Sequence, residues 1–229
     1  MSCTEPSCQS GHRGIKRHPR ARDGASWEGL SIGLLGGSFN PAHEGHLGIS
    51  LFAMKALDLD RVWWLVSPQN PIKPLQGMAP LATRLCEAQH MVRAQPNIVA
   101  TDIEREMGTK YTVDTLKQLK KRFPRARFVW LMGADNMRQI PLWRQWPAIF
   151  GQVPLAILRR PGYVVGHNLG KAAQRFASAS IPARQGRLLA LQNPPRWTVL
   201  DNRLNPQSST RIREKAQDSM RQSIIPVIE

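Results

Sequence analysis

Six short apolar runs separated by segments of helical period limit the folds open to this chain more than any other feature. The runs are LSIGLLGG, RVWWLVS, NIVATDIE, RFVWLMGAD, VPLAILRR and WTVLDNR. All read as strands or strand-like segments, and the adjacent Trp63 and Trp64 in the second run read as core packing. Between them, GHLGISLFAMKALDL places Leu47, Leu51, Met54 and Leu57 at helical spacing. LATRLCEAQHMVRAQ and YTVDTLKQLKKRF also read as helices, and SSTRIREKAQD begins another near the end. Strands that alternate with helices need crossover connections, so the expected architecture is α/β with a mainly parallel sheet. In such sheets ligands bind beyond the carboxyl ends of the strands, and the residues just after each strand are where chemistry is to be sought.

The chain has 229 residues, enough for one large domain with a sizeable core. Residues 1–29 carry almost no aliphatic side chains and are rich in Ser, Gly, Pro, Arg and His, which predicts a mobile basic leader. Residues 30–229 are expected to form a single domain. The leader lacks the apolar core of a secretory signal, and no apolar run approaches the ~20 residues that span a bilayer. Three cysteines, Cys3, Cys8 and Cys86, with two in the leader, argue against a disulfide framework and for a reducing, cytoplasmic setting. Cys8 and His12 lie too close together for a zinc finger loop, so no metal site is expected there. The net charge of +16 points to polyanionic or phosphate-rich partners. Lys and Arg are spread along the whole chain rather than clustered, which makes nucleic acid an unlikely partner and leaves small phosphorylated substrates.

The first strand runs into LGGSFNPAHEGH and then a helix. A helix N-terminus has unpaired N–H groups and a positive dipole end, so it attracts phosphate. Gly36 and Gly37 let backbone approach a ligand without a Cβ in the way, and Pro41 stiffens the turn. His43 and His46, three apart, are expected on one side of the first helical turn, each able to donate to a phosphate oxygen. The alternative is a loop with two surface histidines. The strand–GG–Asn-Pro–His-x-x-His–helix context favours function. Neither a Walker loop nor a GxGxxG fingerprint is present.

A second constellation, QSSTRIR, lies near the other end. Ser208 or Ser209 is a natural N-cap. Three residues after Thr210 comes Arg213 instead of Glu, and an Arg in a first helical turn opposes the macrodipole. That cost is explained if an anion sits there, cradled by hydroxyls and a guanidinium. Read alone, the segment fits an ordinary capped helix equally well.

Together these segments carry a family resemblance. GGSFNPAHEGH resembles the (H/T)xGH signature of the nucleotidyltransferase superfamily, and SSTRIR resembles its second motif. With GSFNP, YTVDTL and GADN between them, residues 31 to about 220 look like a bacterial nicotinate-nucleotide adenylyltransferase. The resemblance implies a Rossmann-like fold with helices on both faces of the sheet. It also implies transfer of the adenylyl group of ATP to nicotinate mononucleotide, assisted by Mg²⁺, giving deamido-NAD and pyrophosphate. By matching position, His43, His46 and Arg213 are the implied catalytic residues. Gly36, Gly37, Ser38, Phe39, Asn40, Gly133, Asp135, Ser209 and Thr210 are implied to bind ATP. Tyr111 and Thr112 would meet the nicotinate carboxylate, and Trp143 would stack on the pyridine ring. Gln207 stands where the family usually has Ile.

That chemistry needs no protein nucleophile. The phosphate of the mononucleotide is ionised at neutral pH and attacks the α-phosphorus in line, so catalysis is positioning plus electrostatics. Mg²⁺ would be held mainly by substrate phosphates and water, and no dedicated protein metal site is expected. Several residues keep two readings from sequence: Asp135 as a ribose contact or a helix cap, Trp143 and Trp146 as ligand-facing or surface anchors, and Asn70 and Lys73 as substrate contacts or solvated loop residues. Acceptors that compete with nicotinate mononucleotide are its amide and phosphopantetheine. A basic nucleic-acid-binding module is the reading from a different class.

Overall fold

The computed structural model describes residues 24–68, 77–159 and 170–201. Six strands form one sheet: β1 (Ser31–Gly37), β2 (Arg61–Val66), β3 (Ile98–Thr101), β4 (Arg127–Gly133), β5 (Leu155–Arg159) and β6 (Trp197–Asp201). Their spatial order is β3-β2-β1-β4-β5-β6 and every neighbouring pair is parallel. The chain therefore leaves β1 in one direction to build β2 and β3, then returns to the other side of β1 with β4. The gap beyond the ends of β1 and β4 is the topological switch point, where open α/β sheets bind ligands.

The sheet is covered on both faces, which is why its strands read as continuous apolar runs instead of alternating ones. Trp63 and Trp64 show the two-residue period directly, since neighbours on a strand point to opposite faces. Trp63 packs edge-on against Trp27 and Phe123, with ring centroids 5.0 and 5.3 Å apart. Trp64 stacks on Phe39 at 5.0 Å on the other face. Both indoles are fully buried. Each such side chain stabilises the fold by roughly 2–3 kcal/mol through apolar burial. The first face is closed by α4 (Thr112–Arg122), with Val113, Leu116 and Leu119 buried, together with α5 (Ala134–Gln139) and α6 (Trp146–Phe150). The second is closed by α1 (Glu44–Leu57), α2 (Leu81–Met91) and the 3-10 helix Ala183–Leu191.

Local differences from the sequence reading have visible causes. NIVATDIE is not extended throughout. Thr101 Oγ1 accepts from the Ile103 amide at 3.2 Å, which turns the chain into the short helix α3 (Ile103–Glu106). Ala134 and Asp135, read as the end of a strand, instead begin α5. The helix after Pro80 stops at Met91, short of the expected span. Trp27, assigned to the leader by composition, is 5% exposed and belongs to the core. Glu28 pairs with Arg125, and the Gly29 amide donates to Arg125 O at 2.9 Å. Trp27, Glu28 and Gly29 are thus joined to the domain ahead of the expected start at residue 30.

Candidate active site

The turn after β1 carries the two histidines. His43 is not in the helix. It is the N-cap of α1, with extended backbone (φ −153°, ψ 166°). Its Nδ1 accepts from the Gly45 amide at 3.1 Å, and its own amide donates to Nδ1 of His46 at 3.3 Å. This is a reciprocal capping box built from imidazoles instead of Ser and Glu. Both Nδ1 atoms accept, so in the neutral rings the proton sits on Nε2, and that is the atom each ring can donate from. The rings lie 3.8 Å apart, centroid to centroid.

The pair rests on a built foundation. Trp64 Nε1 donates to Ser50 Oγ at 2.7 Å, and Ser50 Oγ donates to His46 O at 2.8 Å. Phe39, at φ +47°, turns its ring inward between Trp64 and His46. It is 1% exposed, so it supports the histidines from beneath rather than lining an open cleft. Asn40 is also turned inward. Its side chain donates to Gly77 O at 2.9 Å and accepts from the Ala79 amide at 3.2 Å, tying the β1 turn to the segment before α2.

A cleft of about 440 Å³ opens beside this turn, at the carboxyl ends of the strands. Gly36, Gly37 and Ser38 form one wall. A Cβ on Gly36 would lie 2.7 Å from Cη2 of the buried Trp130, so that position accepts no side chain without moving the indole. Tyr111 and Thr112 form a second wall, where α4 starts with no side-chain cap. The uncapped N-terminus of an 11-residue helix offers amide donors and a positive dipole end to an anion. Trp143 forms a third wall, packed partly against the core, and Arg144 places its guanidinium 4.7 Å above the Tyr111 ring. Of the expected residues, the structure therefore gathers Gly36, Gly37, Ser38, Tyr111, Thr112 and Trp143 around one cleft. His43, His46, Phe39 and Asn40 build the adjoining turn. Gly133 is the N-cap of α5 and Asp135 sits half-buried in its first turn, without capping it. Ser209, Thr210 and Arg213, like Asn70 and Lys73, lie outside the described residues.

Two charged residues escaped the sequence reading. Arg84 of α2 is 1% exposed. Its guanidinium donates to Ser38 O (2.6 Å), Ser67 O (2.8 Å), Ala79 O (2.8 Å) and Pro68 O (3.1 Å). It clamps the turns after β1 and β2 to each other, and Ser38 and Ser67 are both cleft residues. Glu104, just past β3, also lines the cleft and is 9% exposed. Burial pushes its carboxyl up to about 7, against the pull of a hydrogen bond from Thr115 Oγ1 at 3.0 Å. The signal for Glu104 was its place after a strand. That for Arg84 was a charged residue on the same helical stripe as the buried Ala88. Among the described residues, no group of three or more His, Cys, Asp or Glu side chains gathers as a metal site. Nor is any described helix long and apolar enough to cross a membrane.

A six-stranded parallel sheet with a histidine-capped helix at its switch point is the framework of a nucleotidyltransferase. The sequence matches the cytidylyltransferase-like family over residues 34–215. A Parvibaculum lavamentivorans protein named "Probable nicotinate-nucleotide adenylyltransferase" is 50% identical over 193 residues, covering 84% of this chain and 96% of the relative. A Gluconobacter oxydans protein of the same name is 47% identical over 188 residues, 82% of this chain and 96% of its own length. Among solved structures, a Plasmodium falciparum nicotinic acid mononucleotide adenylyltransferase complexed with NaAD shares the fold, with a TM-score of 0.59 at 17% identity over 81% of this chain and 83% of that one. The chain belongs to the cytidylyltransferase-like family and, within it, to the nicotinate-nucleotide adenylyltransferases.

Proposed function

We propose that this chain transfers the adenylyl group of ATP to nicotinate mononucleotide, forming deamido-NAD and releasing pyrophosphate. The observation that carries the reading is the cleft itself. One end adjoins an imidazole-capped turn suited to phosphate. The other joins an aromatic side chain, Trp143, to an uncapped helix N-terminus at Tyr111 and Thr112, suited to an aromatic ring bearing a carboxylate. The names of the relatives that share about half of its residues agree.

In this reading a phosphate oxygen of the mononucleotide attacks the α-phosphorus of ATP. The bond from that phosphorus to the bridging oxygen breaks, and the electron pair leaves with pyrophosphate. No proton has to be removed from the attacking phosphate at neutral pH, so the protein's task is alignment and charge stabilisation. His43 and His46 donate from Nε2 to the phosphate chain. Gly36, Gly37 and Ser38 let that chain pass close to backbone, while Phe39 and Asn40 hold the turn in shape. Gly133 and Asp135, at the start of α5, take the adenosine side. Ser209, Thr210 and Arg213 close on the triphosphate from the far end of the sequence. The imidazole and guanidinium groups are donors to phosphate rather than ligands of a hard cation, and among the described residues no carboxylate-bearing cluster gathers to hold one. Mg²⁺ would therefore arrive on the triphosphate, held by its oxygens and water, and would supply neutralisation of the phosphate charge. One domain, beginning no later than Trp27, acts in the cytoplasm.

The test is pyrophosphate release from ATP with three acceptors: nicotinate mononucleotide, its amide, and phosphopantetheine. The expected result is fastest release with nicotinate mononucleotide. Preference for phosphopantetheine, or release with none, contradicts the reading.

A further inference from the structure

Among the described residues, Glu104 is the one acidic residue lining the cleft, and it does so together with the two residues assigned to the acceptor's carboxylate, Tyr111 and Thr112. Such a placement is costly for an anionic acceptor unless the carboxyl is neutral, because like charges in a partly buried site repel strongly.

The surrounding hydrogen bonds can serve either charge state. Glu104 Oε1 meets Thr115 Oγ1 at 3.0 Å, Thr115 Oγ1 meets Thr109 Oγ1 at 2.9 Å, and Thr109 Oγ1 lies 3.5 Å from the Glu104 carbonyl oxygen. With Glu104 ionised, Thr109 donates to Thr115 and Thr115 donates to the carboxylate. With Glu104 protonated, the two hydroxyls reverse: the carboxyl donates to Thr115, Thr115 to Thr109, and Thr109 to the Glu104 carbonyl. Neither state leaves a buried hydroxyl without a partner.

The charged surroundings are mixed. On its own helix, Asp102 pairs with Arg105 at 2.6 Å and Glu106 with Arg122 at 3.8 Å. From α4, Asp114 and Lys117 face the outer side of Tyr111. From the walls of the cleft come Lys110 and Arg144, with the Tyr111 phenol. The ends of β1 and β2 contribute only Gly36, Gly37, Ser38 and Ser67. Among the described residues Glu104 forms no ion pair. Lys110 and Arg144 attract an acceptor carboxylate. Glu104 is the acidic group among the described lining residues.

We propose that Glu104 is a specificity-determining residue: in its neutral form it admits an acceptor bearing a carboxylate, and in its ionised form it favours the uncharged amide. This rests on the nicotinate mononucleotide reading above. The raised affinity of Glu104 for its proton places the change near neutral pH.

The test is the ratio of kcat/KM for nicotinate mononucleotide to kcat/KM for nicotinamide mononucleotide, measured from pH 6 to pH 8.5. Both acceptors carry the same phosphate, so its own titration near pH 6 cancels in the ratio. The ratio should fall with rising pH, by about tenfold for a coupling of one pH unit between Glu104 and the bound carboxylate. Glu104→Gln should make it flat. Thr115→Val, which removes the donor to the carboxylate, should move the midpoint to higher pH and serves if the Gln variant does not fold. A flat wild-type ratio overturns the proposal, as does an unchanged profile in either folded variant. A chain that turns over neither acceptor contradicts the functional reading instead, and this inference falls with it.

Discussion

His43 and His46 hold each other in place: the backbone amide of His43 donates to Nδ1 of His46, while the His43 ring caps α1 by accepting from Gly45. One consequence is that each imidazole has a structural nitrogen, Nδ1, and a donor nitrogen, Nε2. The structural and chemical roles of the pair can therefore be separated by substitution.

His43→Asn keeps a side chain that caps helices well, whereas His43→Ala removes the cap at a cost of about 1 kcal/mol. Thermal unfolding should show the Asn variant more stable than the Ala variant by that margin. Both should lose turnover by a factor on the order of 10². His46→Ala should lose at least as much turnover with its circular dichroism spectrum retained. Near-normal turnover in His46→Ala would remove the catalytic role.

Trp143→Ala should weaken nicotinate mononucleotide binding more than ATP binding, because the proposed function stacks the pyridine ring on this cleft-lining indole. Titration calorimetry of each substrate decides. Equal losses count against stacking.

Arg84→Met should destabilise the protein by about 1–3 kcal/mol, since four partly buried carbonyl oxygens lose their donor. Arg84→Lys should recover little of this, because an ammonium cannot span the planar fork. Chemical denaturation measures both. If the Lys variant matches wild type, the clamp between the β1 and β2 turns is unimportant.

Gly36→Ala should cost about 1–3 kcal/mol by forcing a methyl against Trp130. Because Trp130 also lines the cleft, KM should change along with stability. A Gly36→Ala enzyme with wild-type unfolding midpoint and KM contradicts the tight packing at this wall.

Stability should also report Glu104. Its folded-state value lies near 7, above the ordinary carboxylate value of 4.5. Between those values the folded state binds more protons than the unfolded one, so stability falls as pH rises through that window and levels off above about 7. Glu104→Gln should abolish this fall and be the more stable form at pH 8, by on the order of 1–3 kcal/mol. Parallel stability curves for the two proteins from pH 5 to pH 8 would contradict it.

Local patterning made the strands and the β1 turn legible. Each depends on near neighbours in sequence: apolar runs for a doubly covered sheet, and Gly-Gly then Asn-Pro for a turn into a helix. Long-range partnerships were not legible. Arg84 reads as an ordinary helical residue until its four carbonyl partners, 5 to 46 positions away, are seen. Glu104 looked extended because nothing in NIVATDIE announces that a threonine hydroxyl bends the backbone there. Nothing in their motif announces the contacts of Phe39 with Trp64 or of Asn40 with Gly77 and Ala79. Trp27 was hidden by its polar surroundings.

The proposed function requires one cleft, at the β1–β4 switch point, to hold both substrates. Its most direct test is a crystal structure with deamido-NAD bound. The pyridine ring should lie against Trp143 with its carboxylate at the start of α4, and the phosphates should lie within hydrogen-bond reach of His43 or His46. A dinucleotide bound elsewhere on the sheet, with this cleft empty, would contradict the account.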